Sequence, residues 1–115
     1  MMKYTIICKR WDVILVPFPF TDLTTIKKRP SLVISPDSFN LNEDIVIAFI
    51  TSNIPSQMRA GDYKIKDLQI TGLPKPSIIR MKFATINKSI IVKKLGNLSE
   101  KDSLNFQKML IDFYS

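Results

Sequence analysis

The spacing of apolar and polar positions divides the chain into short strands and one terminal helix. Residues 12–18, DVILVPF, form a β-branched run that meets Pro17 and Pro19. Proline removes a ladder donor, so the run predicts a strand whose pairing ends there. Residues 31–34, SLVI, predict a second strand, bracketed by Pro30 and Pro36. Residues 44–51, DIVIAFIT, are apolar nearly throughout and suit a central strand covered on both faces. A polar connection then runs from residue 52 to about residue 73. Within it YKIKDLQI (63–70) alternates weakly, as an edge strand or hairpin does. SIIRMKFATI (77–86) and SIIVKKLG (89–96) predict two further strands.

The period changes at the end of the chain. Ser99 can cap free backbone N–H groups, with Glu100 and Asp102 at the positive end of a helix dipole. Phe106, Met109, Leu110 and Phe113 then recur at helical spacing and make one apolar face. Short strands closed by one terminal helix predict a mainly β fold, a small and strongly bent barrel. A chain of 115 residues suits one domain, residues 1–115.

Composition narrows the chemistry. The formal net charge is +7 and the pI about 9.7. That favours acidic partners such as nucleic acid, an anionic membrane or an acidic protein. The excess is uneven, +2 over residues 1–60 and +5 over residues 61–115. There is no histidine, which removes the commonest acid–base group at neutral pH and excludes Ser-His-Asp and Cys-His nucleophiles. Cys8 is the only cysteine, so an intrachain disulfide and a Cys-rich zinc site are excluded, and a small buried hydrophobe is its simplest role. The three glycines, Gly61, Gly72 and Gly96, are too scattered for a phosphate loop. The acids Asp12, Asp22, Asp37, Glu43 and Asp44 fall at strand ends and turns, where carboxylates cap more often than they bind metal. The start of the chain lacks a long apolar signal segment, and the longest apolar run, residues 45–50, is far below the roughly 20 residues of a membrane helix. A cytoplasmic location is expected, with no membrane partner.

Two places can carry chemistry. In Lys27-Lys28-Arg29-Pro30 three cations stand against a proline at a strand entrance. They read either as a solvated turn with Arg29 paired to an acid, or as an aimed guanidinium whose planar fork holds a phosphate. At Ile50-Thr51-Ser52-Asn53 an apolar strand stops in three small polar residues. Their hydroxyls either bond the backbone of a turn or form a polar rim that holds an anion. Phe18 and Phe20 flank Pro19 and serve either as core or as a stacking surface for a base.

These pieces occur in a familiar order. DVILVPFPFTDLTTIKKRPSLVIS, then IVIAFITS, then TGLPKPSIIRMKFATINKSIIVKKLGNLS, resemble the MazF/PemK family of toxin endoribonucleases from about Asp12 to Ser99. The most specific parts are VPFPFTD, the KRP step into LVIS, the ITS strand end and GLPKPSIIR. The resemblance implies an SH3-like β-barrel of the MazF/PemK/CcdB type with a C-terminal α-helix, usually a homodimer. It implies metal-independent cleavage of single-stranded RNA, no cofactor, and a small acidic antitoxin as partner. By the resemblance Arg29 and Thr51 are the catalytic pair. Residues 21–28 then become a loop over the substrate, with Phe18, Thr21, Lys27, Lys28 and Ser52 as RNA-binding residues.

In metal-free RNA cleavage the substrate's 2′-hydroxyl attacks phosphorus and the 5′-oxygen leaves, giving a cyclic phosphate. Arg29 can neutralise phosphoryl charge and Thr51 can donate to a nonbridging oxygen. Arginine stays protonated, so it serves as an acid more readily than as a base, and a modest catalyst that relies on positioning is expected. One other function fits the same residues: a non-catalytic module that binds a protein target, as gyrase-directed relatives of the fold do, or holds RNA uncut. A basic structural or ribosome-associated protein fits the charge of +7 but does not explain the neutral TSN strand end or the apolar face of the last helix. Two positions depart from the family's pattern: Trp11-Asp12 stands where Gly-Asp is common, and the TDLTTIKK loop lacks glycine.

Overall fold

β-Branched and apolar runs become strands, as their alternation predicts. The computed structural model describes residues 6–18 and 27–115. Its strands are β1 (Asp12–Phe18), β2 (Lys27–Val33), β3 (Asp44–Thr51), β4 (Tyr63–Lys64), β5 (Ile78–Asn87) and β6 (Lys93–Asn97), followed by helix α1 (Glu100–Phe113). They form one curled antiparallel sheet in the order β4-β5-β3-β2-β1-β6, a half-barrel of the SH3-like kind.

Successive residues of a strand face opposite ways, and here both faces are covered. On one, Val13, Leu32, Ala48, Ile50 and Ile79 gather around Phe106 of α1. On the other, Ile14, Val16, Val33, Ile45 and Ile47 pack with Cys8 and Ile91. β3 contributes to both cores, which is why its sequence barely alternates. Phe106 is fully buried, worth about 1.5–3 kcal/mol for such a side chain. Cys8 is the buried hydrophobe expected, and burial pushes its thiol pKa up.

Several boundaries differ from the sequence reading. β2 starts at Lys27 and carries Pro30 inside it. Pro30 pairs with Leu15 of β1, while the ladder to β3 begins only at Ser31, so its missing N–H interrupts no bond on that side. Pairing in β1 also continues through Pro17 to Phe18. The 63–70 segment keeps only the two-residue edge strand β4, and a 3-10 turn follows at Gln69–Thr71. The 89–96 segment opens as another 3-10 turn, Lys88–Ile90, capped by the Asn87 side chain accepting from Ser89 N–H at 2.8 Å, and extends only from Lys93. On α1, Met109 and Leu110 join Phe106 against the core, but Phe113 is 46% exposed.

Trp11 packs against the barrel. Its ring meets Phe106 edge to face at 6.0 Å between centroids, and Arg10 lies over it at 5.1 Å. Its backbone has φ 76°, the region that glycine favours and that costs an L-residue about 1–2 kcal/mol. Packing holds the strain in place. We expect Trp11→Gly and Trp11→Ala both to destabilise the fold, with the alanine variant the less stable by about 0.5–1 kcal/mol in urea denaturation. Equal stability, or the reverse order, refutes the strain argument.

The helix is moored by a buried carboxylate. Asp102 is fully buried and accepts from Tyr63 Oη at 2.5 Å, Asp67 N–H at 2.9 Å and Lys66 N–H at 3.2 Å. Ser99 Oγ caps the helix by accepting from Asp102 N–H at 3.1 Å. Burial, and then the bond to Asp102, push the Tyr63 phenol pKa from 10.0 to about 12. The folded state thus keeps this proton longer than the unfolded chain. The resulting stability is fully present below pH 10 and is lost as pH rises towards about 12. Tyr63→Phe should cost about 1.5–3 kcal/mol at neutral pH and flatten the fall in stability above pH 10 relative to wild type, read by denaturation at stepped pH. A parallel decline in both proteins would sink the assignment.

Candidate functional site

The β2–β3 ladder pairs Ser31 with Phe49, Leu32 with Ala48 and Val33 with Ile47, and then stops. Carried two residues further, that register sets Pro30 against Ile50 and Arg29 against Thr51. Pro30 cannot donate on that side, so the ladder ends there, and a groove lies at the strand ends.

On one side the groove is a cleft of about 510 Å³. Lys28, Arg29 and Pro30 of β2 face Ile50 and Thr51 of β3, with Ser52 and Asn53 beyond. The far wall is the 72–77 segment with Lys75 and Ser77, and Lys93 and Leu95 of β6 complete it. Gly72 is required there: at φ 74° a Cβ would lie 2.2 Å from the Leu95 carbonyl oxygen. On the other side is a cleft of about 310 Å³ lined by Arg29, Phe49, Ile50, Thr51, Asn53, Arg59, Arg80 and Lys82. The two clefts share Arg29, Ile50, Thr51 and Asn53, so they adjoin at the strand ends as the two arms of a groove.

The central groups are prepared for an anion. Thr51 Oγ accepts from Asn53 N–H at 3.1 Å, which leaves the hydroxyl proton to donate. Arg29 Nε is buried and has no hydrogen-bond partner among the described residues. Ser31 Oγ, two residues along on the same face of β2, is likewise buried and unpaired among them. Buried donors are nearly always satisfied, so an orphaned guanidinium nitrogen marks a place where an acceptor is missing. Arg80 is engaged, 3.7 Å from the buried carboxylate of Asp62. Among the described residues no three Cys, Asp or Glu side chains come close enough together to hold a metal.

The groove therefore gathers Lys28, Arg29, Thr51 and Ser52 from the sequence-derived set. Lys27 is exposed at the start of β2 and does not line it. Phe18 is described only as backbone of β1, and Thr21, with the rest of the loop to residue 26, lies outside the described residues. Sequence reasoning missed Arg59, Arg80, Lys82, Lys75 and Lys93. Lys75 and Arg80 were within reach, because both stand in the GLPKPSIIR stretch. Arg59 and Lys93 had no motif to mark them.

This architecture, a curled half-barrel with a basic groove at its parted strands and one closing helix, is a toxin fold. It superposes on the "Crystal structure of MazE-MazF (Form-II) from Deinococcus radiodurans" with a TM-score of 0.74 at 12% identity, covering 96% of this chain and 98% of that one. An "Endoribonuclease in complex with its cognate antitoxin from Mycobacterial species" matches with a TM-score of 0.72 at 14% identity, covering 94% and 93%. The "Mycobacterium tuberculosis toxin MazF-mt6" matches with a TM-score of 0.70 at 15% identity, covering 90% and 95%. No curated protein matches the sequence significantly. The family described as "PemK-like, MazF-like toxin of type II toxin-antitoxin system" matches residues 9–114, and the chain belongs to it.

An unpaired buried guanidinium nitrogen costs stability where no anion is bound. Arg29→Met, which keeps the stem and removes the donors, should raise stability by about 1 kcal/mol or more in chemical denaturation. A loss of stability would mean that Arg29 is already satisfied in the free protein.

Proposed function

We propose that this protein is a toxin endoribonuclease that cleaves single-stranded RNA by 2′-hydroxyl attack, without a metal. The observation that carries the reading is the orphaned Arg29 Nε beside the donor-ready Thr51 hydroxyl at the centre of a cationic groove. In the reaction the 2′-oxygen bonds to phosphorus as the P–O5′ bond breaks. The 2′-hydroxyl loses its proton, the departing 5′-oxygen gains one, and a 2′,3′-cyclic phosphate remains. Arg29 lies against the phosphate and offsets the charge building on its nonbridging oxygens. Thr51 donates to one of those oxygens. Lys28, Lys75 and Lys93 hold the flanking backbone electrostatically.

The donor set supports the metal-free chemistry. The groove is lined by cations, hydroxyls and an amide, and Asp62 beside it is committed to Arg80. With no histidine in the chain, alignment and charge neutralisation carry the rate, and turnover should be modest. A small acidic antitoxin suits a chain of net charge +7 and would cover this groove, and the toxin would act as a homodimer in the cytoplasm. No helix among the described residues is long and apolar enough to cross a membrane.

Purified protein in EDTA should cut mixed single-stranded RNA and leave cyclic phosphate ends, and should leave the same sequences uncut as 2′-deoxy strands. Arg29→Ala should lower the rate by about 10²–10³-fold with unfolding curves showing an intact fold. Thr51→Ala should lower it by about 10²-fold. RNA that is bound but never broken would return the protein to the non-catalytic reading.

A further inference from the structure

The arm of the groove beyond Phe49 differs from the lysine-lined arm. Its charge is mostly guanidinium, and it is built on one buried acid. Residues 59–62 form a tight turn in which Asp62 N–H donates to the Arg59 carbonyl at 3.0 Å. Gly61 occupies its third position at φ 87°, as a turn of this kind asks of glycine. The turn folds the Asp62 carboxylate inward, to 2% side-chain exposure. One oxygen, Oδ2, then meets two elements. It accepts from Arg59 N–H at 2.8 Å and lies 3.7 Å from Arg80 Nη2 on β5. Arg80 is itself only 15% exposed, and it lines the groove beside this acid. The Arg59 side chain is exposed at the same wall, with no acid paired to it among the described residues. Lys82, two residues after Arg80 on the same face of β5, extends the wall, its Nζ lying 5.5 Å from the centre of the Phe49 ring.

A buried carboxylate is an expensive way to hold a surface, and an acid beside a nucleic-acid groove repels the ligand. Both costs make sense where the acid's task is geometric. Arginine binds phosphate through a planar fork, and a fork is useful only when its orientation is fixed. We propose that Asp62 organises Arg59 and Arg80 into a second phosphate subsite, which takes a neighbouring backbone phosphate of the strand whose scissile phosphate sits at Arg29 and Thr51. This rests on the reading of the groove as an RNA site. Asp62 is a positioning residue and touches no RNA. The subsite fixes the strand's register across the parted β2 and β3 ends, because two anchored phosphates define a direction where one does not.

The test is binding of a mixed-sequence, 2′-deoxy-blocked single-stranded RNA by the full chain, titrated at several salt concentrations. Arg59→Gln and Arg80→Gln should each weaken binding and reduce the slope of log K against log salt by about 0.7, one phosphate contact on a single strand. Asp62→Asn is the decisive variant. On charge alone, removing an acid from a basic groove tightens binding. Loss of positioning weakens it, and we expect weakening of about fivefold to tenfold. If Asp62→Asn does not fold, Arg80→Lys decides, since it keeps the charge and loses the fork. Weakening of about tenfold with the salt slope unchanged is expected there. Wild-type protein that binds RNA while these variants bind as well or better overturns the subsite and leaves the RNA reading standing. Wild-type protein that binds no RNA overturns both.

Discussion

A missing N–H at Pro30 is the constraint from which the site follows. Antiparallel strands hold together by reciprocal bonds, and β2 can bond β3 only from Ser31 onward. Before that residue β2 stays attached to β1 alone, with Pro30 opposite Leu15. The β2–β3 ladder is present on one side of the proline and absent on the other. Residues that would have been a buried cross-strand pair, Arg29 and Thr51, become the two lips of a groove. A strand-forming residue in place of Pro30 could extend the ladder and close that gap. The proline thus shapes the groove through what it prevents.

A split sheet needs its loose ends held, and the structure holds them from outside. The short edge strand β4 contributes two residues to the sheet and would be weak alone. Asp102 ties it to α1 by accepting from Tyr63, Lys66 and Asp67, and α1 in turn inserts Phe106 into the core. Gly72 lets the 72–77 wall lie directly on the backbone of β6. Neither anchor depends on the missing part of the β2–β3 ladder.

Much of this was legible in the chain. β1 and β3 match their predicted limits, and helix α1 follows its predicted cap. Local patterns decided these elements: β-branched runs, a Ser99 cap and one helical apolar face. What misled was punctuation. Pro30 reads as a boundary, yet a proline whose N–H side faces no partner can sit inside a strand. The 63–70 and 89–96 segments carry enough apolar residues for strands, but tertiary contacts turn parts of them into 3-10 turns. In the groove, Arg29, Thr51, Lys28 and Ser52 were found because they flank strand ends that periodicity exposes. Arg59 was invisible because nothing local distinguishes it from a solvated loop cation. Its position depends on Asp62, and that dependence exists only once the turn has folded. Trp11 was recognised as unusual in its place, and the positive φ explains why glycine would be the easier residue there.

The charge of the groove is best understood as cost set against use. Cations crowd around parted strands, and one of their buried nitrogens bonds to nothing among the described residues. A fold selected for stability alone would neutralise or replace it. Among the described residues Asp62 is the one carboxylate brought to this wall, and it meets Arg80 rather than Arg29. The same device could have satisfied either arginine. An acid on Arg29 would have occupied the acceptor position that its buried Nε leaves open, whereas the acid on Arg80 lies 3.7 Å from a single nitrogen of that side chain. The placement of this acid thus separates a cation that has a carboxylate beside it from one whose buried nitrogen is left without an acceptor among the described residues.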